Sequence, residues 1–311
     1  MMATIFVSQG SHHSIGLEVF LKSFSCLKTK YKKIFKLIVN QASLKQHLNL
    51  LNFDYIIISD KLIFSGGTLN LTLLNKNKSI AQDSLDFILA NIEKDDVLLT
   101  LPMTKEELFV NKKICSGHTE YFRNYYNNES ISMFFDSYKD KLLLLTDHIS
   151  VSNISDKIIS QNNEAKLILA IDYLLSSEKL NEVIFSGINP HCGENGTLGD
   201  EEKIFLPLIN KLIKRYPQLI VKGPFSADTI YQQRLSQKYQ LFIFSYHDQG
   251  LTIFKERNRN LGLNITIGLP FKRLSVDHGT APLLVGKNQA NYECSLLSLE
   301  KALQMVGVYE G

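Results

Sequence analysis

Three of the eight histidines stand just past short, continuously apolar runs. Leu142 to Leu145 leads into Thr146-Asp147-His148. Val183-Ile184-Phe185 leads into Ser186-Gly187-Ile188-Asn189-Pro190-His191, and Leu241 to Phe244 into Ser245-Tyr246-His247-Asp248. Imidazole is the commonest protein ligand of transition metals, and three of them suit a divalent ion with an open position for substrate. A plain loop or core histidine explains any one of these singly; their shared position past a strand sets them apart as a group. Lys255 lies eight residues beyond His247, and Asn264 and Arg273 follow. Two cations and an amide suit phosphate and carboxylate, with ordinary surface charges on a helix and a loop as the alternative. Gly117-His118-Thr119-Glu120 reads as a donor-rich polar turn. Asp277-His278-Gly279-Thr280-Ala281 has the small residues that let a flat ring approach the backbone. Asp228 follows Gly223-Pro224, where helix capping is its plain reading.

Such groups need elements to hold them. Candidate strands are Thr4–Ser8, Tyr55–Ser59, Val97–Leu101, Leu142–Thr146, Val183–Ser186, Leu219–Val221, Leu241–Ser245 and Ile265–Ile267. Most are continuously apolar, as in a strand covered on both faces. Between them run amphipathic stretches. In 80–93, Leu85, Ile88, Leu89 and Ile92 form one helical stripe, and 163–175 repeats the pattern. The stretch 201–215 opens with Glu201 and Glu202 and closes with Lys211, Lys214 and Arg215, charges that suit a helix dipole, with Pro207 starting or kinking the helix. Alternating strands and helices predict an α/β chain with mainly parallel pairing. Size and a change of loop character put a domain boundary near residue 115. The three glycines at 193, 196 and 199 could cradle an anion, but their spacing matches neither phosphate-loop motif. No Gly-x-Gly-x-x-Gly occurs anywhere, so a Rossmann dinucleotide site is not supported.

At 311 residues the chain is long enough for two domains. Its 44% hydrophobic and 21% charged content is ordinary for a soluble protein, and a net charge of +3 gives no reason to expect nucleic acid. The basic run Lys28 to Lys36 reads as the solvated face of a helix. No apolar run approaches a membrane span, and the N-terminus does not read as a signal peptide. Cys26, Cys115, Cys192 and Cys294 form no Cys-x-x-Cys pair and read as free thiols of a reducing compartment, so a cytoplasmic location is expected.

Taken together, GHTE at 117–120, NPHCGENGTLGDEE at 189–202, GPFSADT at 223–229, YHDQGLTIFK at 246–255 and SVDHGTAPLLVGK at 275–287 resemble the 4-hydroxythreonine-4-phosphate dehydrogenase family. That family is similar in fold to isocitrate and isopropylmalate dehydrogenases, which bind NAD without the glycine fingerprint. The resemblance implies two α/β/α domains with mainly parallel sheets and the active site in the cleft between them. The cofactor-side domain would be 1–115 plus 262–311, and the metal-binding and dimerisation domain 116–261. It implies His148, His191 and His247 as ligands of one divalent metal (zinc, magnesium or cobalt) at a homodimer's shared site, one histidine coming from the other subunit. It implies substrate contacts at His118, Thr119, Lys255, Asn264 and Arg273, an acidic Asp228 near the metal, catalytic roles for Asp228 and Lys255, and NAD or NADP at Asp277, His278 and Gly279. The implied reaction oxidises 4-phosphooxy-threonine, a small phosphorylated substrate, to a β-keto acid that decarboxylates, in pyridoxal phosphate biosynthesis.

One segment departs from the pattern. The family usually carries Gly-Asp-Pro-x-Gly-Ile-Gly-Pro-Glu after its first strand, and residues 10–18 read Gly-Ser-His-His-Ser-Ile-Gly-Leu-Glu. His12 and His13 are then either new polar contacts or loop drift. The departure leaves open a related dehydrogenase of threonate or erythronate 4-phosphate. A catalytically silent ligand-binding homologue is the reading from another class.

Overall fold

A segment apolar on both faces is stable only inside a sheet covered on both sides, and the continuous apolar runs do become strands. The computed structural model describes residues 3–75, 79–160, 163–177, 179–233, 239–259 and 261–309. Its strands in chain order are β1 (Ile5–Ser8), β2 (Phe35–Asn40), β3 (Tyr55–Ile58), β4 (Lys61–Phe64), β5 (Gly67–Leu74), β6 (Val97–Thr100), β7 (Phe109–Val110), β8 (Lys113–Ile114), β9 (Ser132–Asp136), β10 (Lys141–Leu144), β11 (Glu182–Ser186), β12 (Ile220–Phe225), β13 (Gln240–Phe244), β14 (Leu263–Ile267) and β15 (Lys272–Val276). Each expected strand is present. Those the periodicity does not predict, such as β2, β9 and β15, carry a charge or hydroxyl (Lys36, Ser132, Arg273) that interrupts the apolar run.

The basic run 28–36 is a correction. Only Thr29–Lys32 is helical, and β2 begins at Phe35. Lys32 is buried, its ammonium donating to the carbonyls of Ser25 (3.0 Å) and Gly66 (2.6 Å). The other helical expectations hold, at Ile80–Leu89, Asn163–Ser177 and Phe205–Arg215. Pro207 falls in the first turn of the last, where its missing N–H is tolerated.

Two compact units divide the chain. The first comprises Met1–Tyr125, Leu263–Ile265 and Leu269–Gly311, and the second Tyr126–Gly262 with Thr266–Gly268. Residues 116–125, placed from sequence in the second domain, thus lie in the first. There Tyr121 and Phe122 are buried, and the Tyr121 hydroxyl donates to Asp86 at 2.7 Å.

In the first unit the strand order is β15-β6-β1-β2-β5-β4-β3. The pairs from β15 to β5 are parallel, and β5-β4-β3 form antiparallel hairpins. The order reverses at β1, with β2 on one side and β6 on the other. Open α/β sheets bind ligands at the carboxyl end of such a switch point. In the second unit the order is β12-β11-β13-β10-β9, parallel except for β9. Leu142, Leu144, Ile184, Phe242, Phe244, Leu251 and Phe254 pack there as one core cluster. Among the described residues no helix is long and apolar enough to cross a membrane.

Gly10 is where the first unit's switch point is tightest. A Cβ there would sit 1.9 Å from the Pro102 carbonyl oxygen, and the Ser11 N–H donates to that same oxygen at 3.0 Å. Gly10→Ala is therefore expected to destabilise the protein by about 1–3 kcal/mol, the usual penalty of overpacking. Thermal unfolding followed by circular dichroism checks this; an unchanged midpoint would mean that the loop yields freely.

Candidate functional site

In the second unit, β11, β13 and β10 are neighbours that run the same way, pairing Phe185 with Ile243 and Leu144 with Phe244. The loops after all three leave from one edge, and they carry His191, His247 and His148. His247 is half-buried at the first position of the helix His247–Asn258, its Nδ1 2.7 Å from an Asp248 carboxylate oxygen. His148 is exposed, on left-handed backbone with φ 35°. The two rings lie 5.4 Å apart between centroids, and both line a cavity of about 220 Å³ with Asp147, Val151, Tyr246 and Asp248. His191 is exposed on the third loop, its Nδ1 3.5 Å from Glu194, and is not among the residues lining that cavity. The fold thus brings two of the three expected ligands together. Among the described residues no group of three His, Cys, Asp or Glu side chains stands ready to hold an ion. The donors themselves, imidazoles just past three adjacent strands, have the chemistry a divalent metal takes.

The His191 loop is held in an unusual shape. His191, Cys192, Glu194 and Asn195 all have positive φ, between 44° and 56°. Glu202 anchors the entry: one carboxylate oxygen accepts from the backbone N–H groups of Ile188 (3.0 Å) and Asn189 (2.6 Å), and the other from the Asn189 amide at 3.1 Å. Gly193 is required, since a Cβ there would lie 2.2 Å from the Gly199 carbonyl oxygen. Burial pushes the Cys192 thiol up, and the nearby carboxylates of Glu202 and Asp228 add to this. Asp228 itself is exposed, on a turn before the short helix Ile230–Gln233. Lys255 is also exposed, two turns along the helix that His247 begins.

In the first unit, GHTE is the start of a helix, not only a turn. His118 opens His118–Tyr126, and Glu120 reaches back to accept from the Ser116 N–H at 2.5 Å, as a capping residue does. Burial holds His118 well below the ordinary histidine value, and the charge of Arg273 lowers it further. Arg273 lies on β15, not on a surface helix or loop, and is only 1% exposed. Its guanidinium donates to the Thr100 hydroxyl and lies 5.9 Å from the Phe122 ring centre. Burial pulls its pKa down to about 9. Thr119 is buried, and Asn264 on β14 has a buried side-chain oxygen without a hydrogen-bond partner.

Past the end of β15, the His278 Nδ1 lies 3.0 Å from the Gly279 carbonyl. A carbonyl only accepts, so Nδ1 carries the proton, and the buried Nε2 is left without a partner. Burial lowers this histidine too. A Cβ on Gly279 would meet nothing within 4 Å, so protein packing leaves space there. Asp277 lies by Cys294, whose thiol is pushed up to about 11 by burial. An open glycine and an unsatisfied imidazole nitrogen fit a planar, hydrogen-bonding cofactor.

The altered segment 10–18 is built into the switch point. The Ser11 hydroxyl accepts from the Thr104 N–H at 2.7 Å and donates to the Glu107 carboxylate. The His12 ring contacts the Ser43 hydroxyl at 2.8 Å and stands edge-on to His13 (4.9 Å) and to the buried His47 (5.5 Å). Burial lowers His12, and its two histidine neighbours lower it further. His47 was not a sequence candidate; its only signal is a position one helical turn beyond Ser43.

A family profile described as "Pyridoxal phosphate biosynthetic protein PdxA" matches residues 33–306. A protein of Oceanobacillus iheyensis provisionally named D-threonate 4-phosphate dehydrogenase is 34% identical over 220 residues, 70% of this chain and 66% of its own length. The 4-hydroxythreonine-4-phosphate dehydrogenase of Pseudoalteromonas translucida is 34% identical over 194 residues, 61% of this chain and 58% of its own. The chain thus aligns with less than two thirds of the length of these curated relatives. The crystal structure of 4-hydroxythreonine-4-phosphate dehydrogenase from Klebsiella pneumoniae superposes with a TM-score of 0.76 at 26% identity, covering 98% of this chain and 99% of that one. Isocitrate dehydrogenase from Methylococcus capsulatus, at 12% identity and a TM-score of 0.53, shares the fold.

Neutral imidazoles make stability depend on pH. His118, His12 and His278 all sit below their ordinary value. As pH falls below about 6.5 the unfolded chain takes up protons there and the native state does not, so stability drops with pH through that window. His118→Asn is expected to flatten this dependence by up to about 1.4 kcal/mol per pH unit, one proton's worth. Urea unfolding at a series of pH values between 7 and about 5 measures it; an unchanged slope would show that His118 titrates normally.

Proposed function

The chain belongs to the pyridoxal phosphate biosynthetic protein PdxA family, and on that premise we propose that it is a dehydrogenase of 4-phosphooxy-threonine. The secondary alcohol is oxidised, for which NAD or NADP, when bound, would supply the hydride acceptor, and the β-keto acid formed loses carbon dioxide to give 3-amino-2-oxopropyl phosphate. The observation that supports this reading is that His148, His191 and His247 follow three adjacent parallel strands, with the rings of His148 and His247 5.4 Å apart. A divalent cation held by these three (zinc, magnesium or cobalt) would supply Lewis acidity to the substrate hydroxyl.

The chain's own groups do the rest. Arg273 and Lys255 hold phosphate or carboxylate; Arg273 is still protonated at neutral pH, with a pKa of about 9. A desolvated guanidinium gains more from an anion than an exposed one does. His118, kept neutral, donates or accepts without adding charge, and Thr119 and Asn264 orient the substrate. Asp228 takes the proton of the reacting alcohol. Asp277, His278 and Gly279 hold the adenine end of the dinucleotide, whose ring chemistry the protein only positions. The protein acts in the cytoplasm as a homodimer that shares this site. Val151, which lines the His148 cavity and is 73% exposed, and Ile159, 67% exposed, support an apolar partner surface nearby.

A second reading, a dehydrogenase of threonate 4-phosphate, takes its ground from the name of the Oceanobacillus relative, and the altered segment 10–18 allows it. Absorbance of reduced nicotinamide separates the two. The purified protein should turn over 4-phosphooxy-threonine faster than threonate or erythronate 4-phosphate, lose activity with a chelator, and regain it with zinc, magnesium or cobalt. Preference for threonate 4-phosphate reverses the choice of substrate, and no turnover of any of them sinks the dehydrogenase reading.

Arg273→Lys keeps the charge but removes the fork. The loss of one charge-assisted hydrogen bond, roughly 1.5–3 kcal/mol, should raise KM for the phosphorylated substrate at least about tenfold with little change in dinucleotide affinity. An unchanged KM would remove Arg273 from substrate binding.

A further inference from the structure

Three histidine-bearing loops leaving one sheet edge still need something to fix them against one another, and Gln249 is placed to do so. It is the third residue of the helix that His247 opens. Its side-chain oxygen accepts from the Ser245 N–H at 2.9 Å, and its amide donates to the Gly187 carbonyl at 2.7 Å. Ser245 belongs to the His247 loop and Gly187 to the His191 loop. The Ser245 hydroxyl makes a longer contact, 3.4 Å, with the same Gly187 carbonyl. On the other side, the Thr146 hydroxyl donates to the Ser245 carbonyl at 2.6 Å, beside the backbone bond from the Thr146 N–H to that oxygen at 3.1 Å. Thr146 is two residues before His148. A chain of hydrogen bonds therefore runs from the His148 loop through Ser245 and Gln249 to the His191 loop. Half of it is ordinary helix capping, since a glutamine at the third position commonly satisfies an N–H at the helix start. The bond to Gly187 is not, because it leaves the helix and ends on another loop.

We infer that Gln249 is a positioning residue that sets the His191 loop against the His247 loop, with Thr146 doing the same for the His148 loop. Gln249 does not line the His148 cavity, and Thr146, which does, commits its hydroxyl to the Ser245 carbonyl; both act through the backbone that carries the ligands. Groups behind metal ligands typically change metal affinity by 10–100-fold when removed. The inference rests on reading the three histidines as metal ligands.

The test uses full-length protein stripped by chelation and titrated with cobalt(II), following both affinity and the visible spectrum at saturation. Gln249→Met and Thr146→Val should each weaken cobalt binding at least about tenfold and shift the saturated spectrum, which a merely destabilised protein would not do. Gln249→Glu keeps an acceptor for the Ser245 N–H but has no donor for Gly187. It should restore the thermal midpoint lost in Gln249→Met without restoring the wild-type spectrum. Should Gln249→Met fail to fold, Gln249→Glu and Thr146→Val carry the comparison. Wild-type affinity and spectrum in Gln249→Met, or a wild-type spectrum in Gln249→Glu, would leave Gln249 as a helix cap and overturn the inference alone. If the wild type binds no cobalt, or His247→Ala binds it undiminished, the metal reading fails and this inference with it.

Discussion

In the second unit β13 hydrogen-bonds to β11 on one side and to β10 on the other, and all three strands run in one direction. Parallel strands send their outgoing loops to the same edge, whereas antiparallel pairing would send alternate loops to opposite edges. Neighbouring strands are about 4.8 Å apart, so this pairing also sets the scale on which the loops can meet. The 5.4 Å between the rings of His148 and His247 is close to that single spacing. His191, on the loop past the strand on the other side of β13, is exposed and does not line their cavity.

That loop is costly to build. A non-glycine residue on left-handed backbone is disfavoured by roughly 1–2 kcal/mol, and His191, Cys192, Glu194 and Asn195 all adopt it. Its own backbone bonds are few, from the N–H of Cys192 to the Asn189 carbonyl (3.2 Å), of Thr197 to Glu194 (3.2 Å) and of Leu198 to Gly193 (2.9 Å). The charged hydrogen bonds from Ile188 and Asn189 to the buried Glu202 are of a size to offset much of that strain, at roughly 1.5–3 kcal/mol each. Strain of this kind persists where the surroundings over-determine it, and it is commonly found at functional sites.

The first unit solves a different problem, how to keep polar groups buried and poised. Burial keeps His118, His12 and His278 neutral and pulls Arg273 down to about 9. In the altered loop, Ser11 links the β1 and β6 ends through Thr104 and Glu107, and His12 packs on His13 and His47. The segment is thus integrated into the unit's packing, which sets it apart from a drifting surface loop.

The amino-acid sequence by itself determined the alternation of apolar runs and amphipathic stretches, and hence parallel α/β architecture, because burial on both faces leaves a strand no polar positions. It also placed His148, His191 and His247 just past strands, since chain order alone puts them there. Tertiary structure decided the rest. Lys32 reads as a surface charge and Arg273 as an anion contact or a surface charge, but only the folded chain could show that carbonyls or a hydroxyl meet them inside. His47 had no local signal, as its partners come from the loop after β1 and from its own helix. The strand order that sets β13 between β11 and β10, and the hydrogen bonds of Gln249 and Thr146 across their loops, join residues about 60 to 100 apart in sequence. Composition and periodicity are properties of neighbours along the chain and carry no record of such pairings, so long-range packing alone determines them.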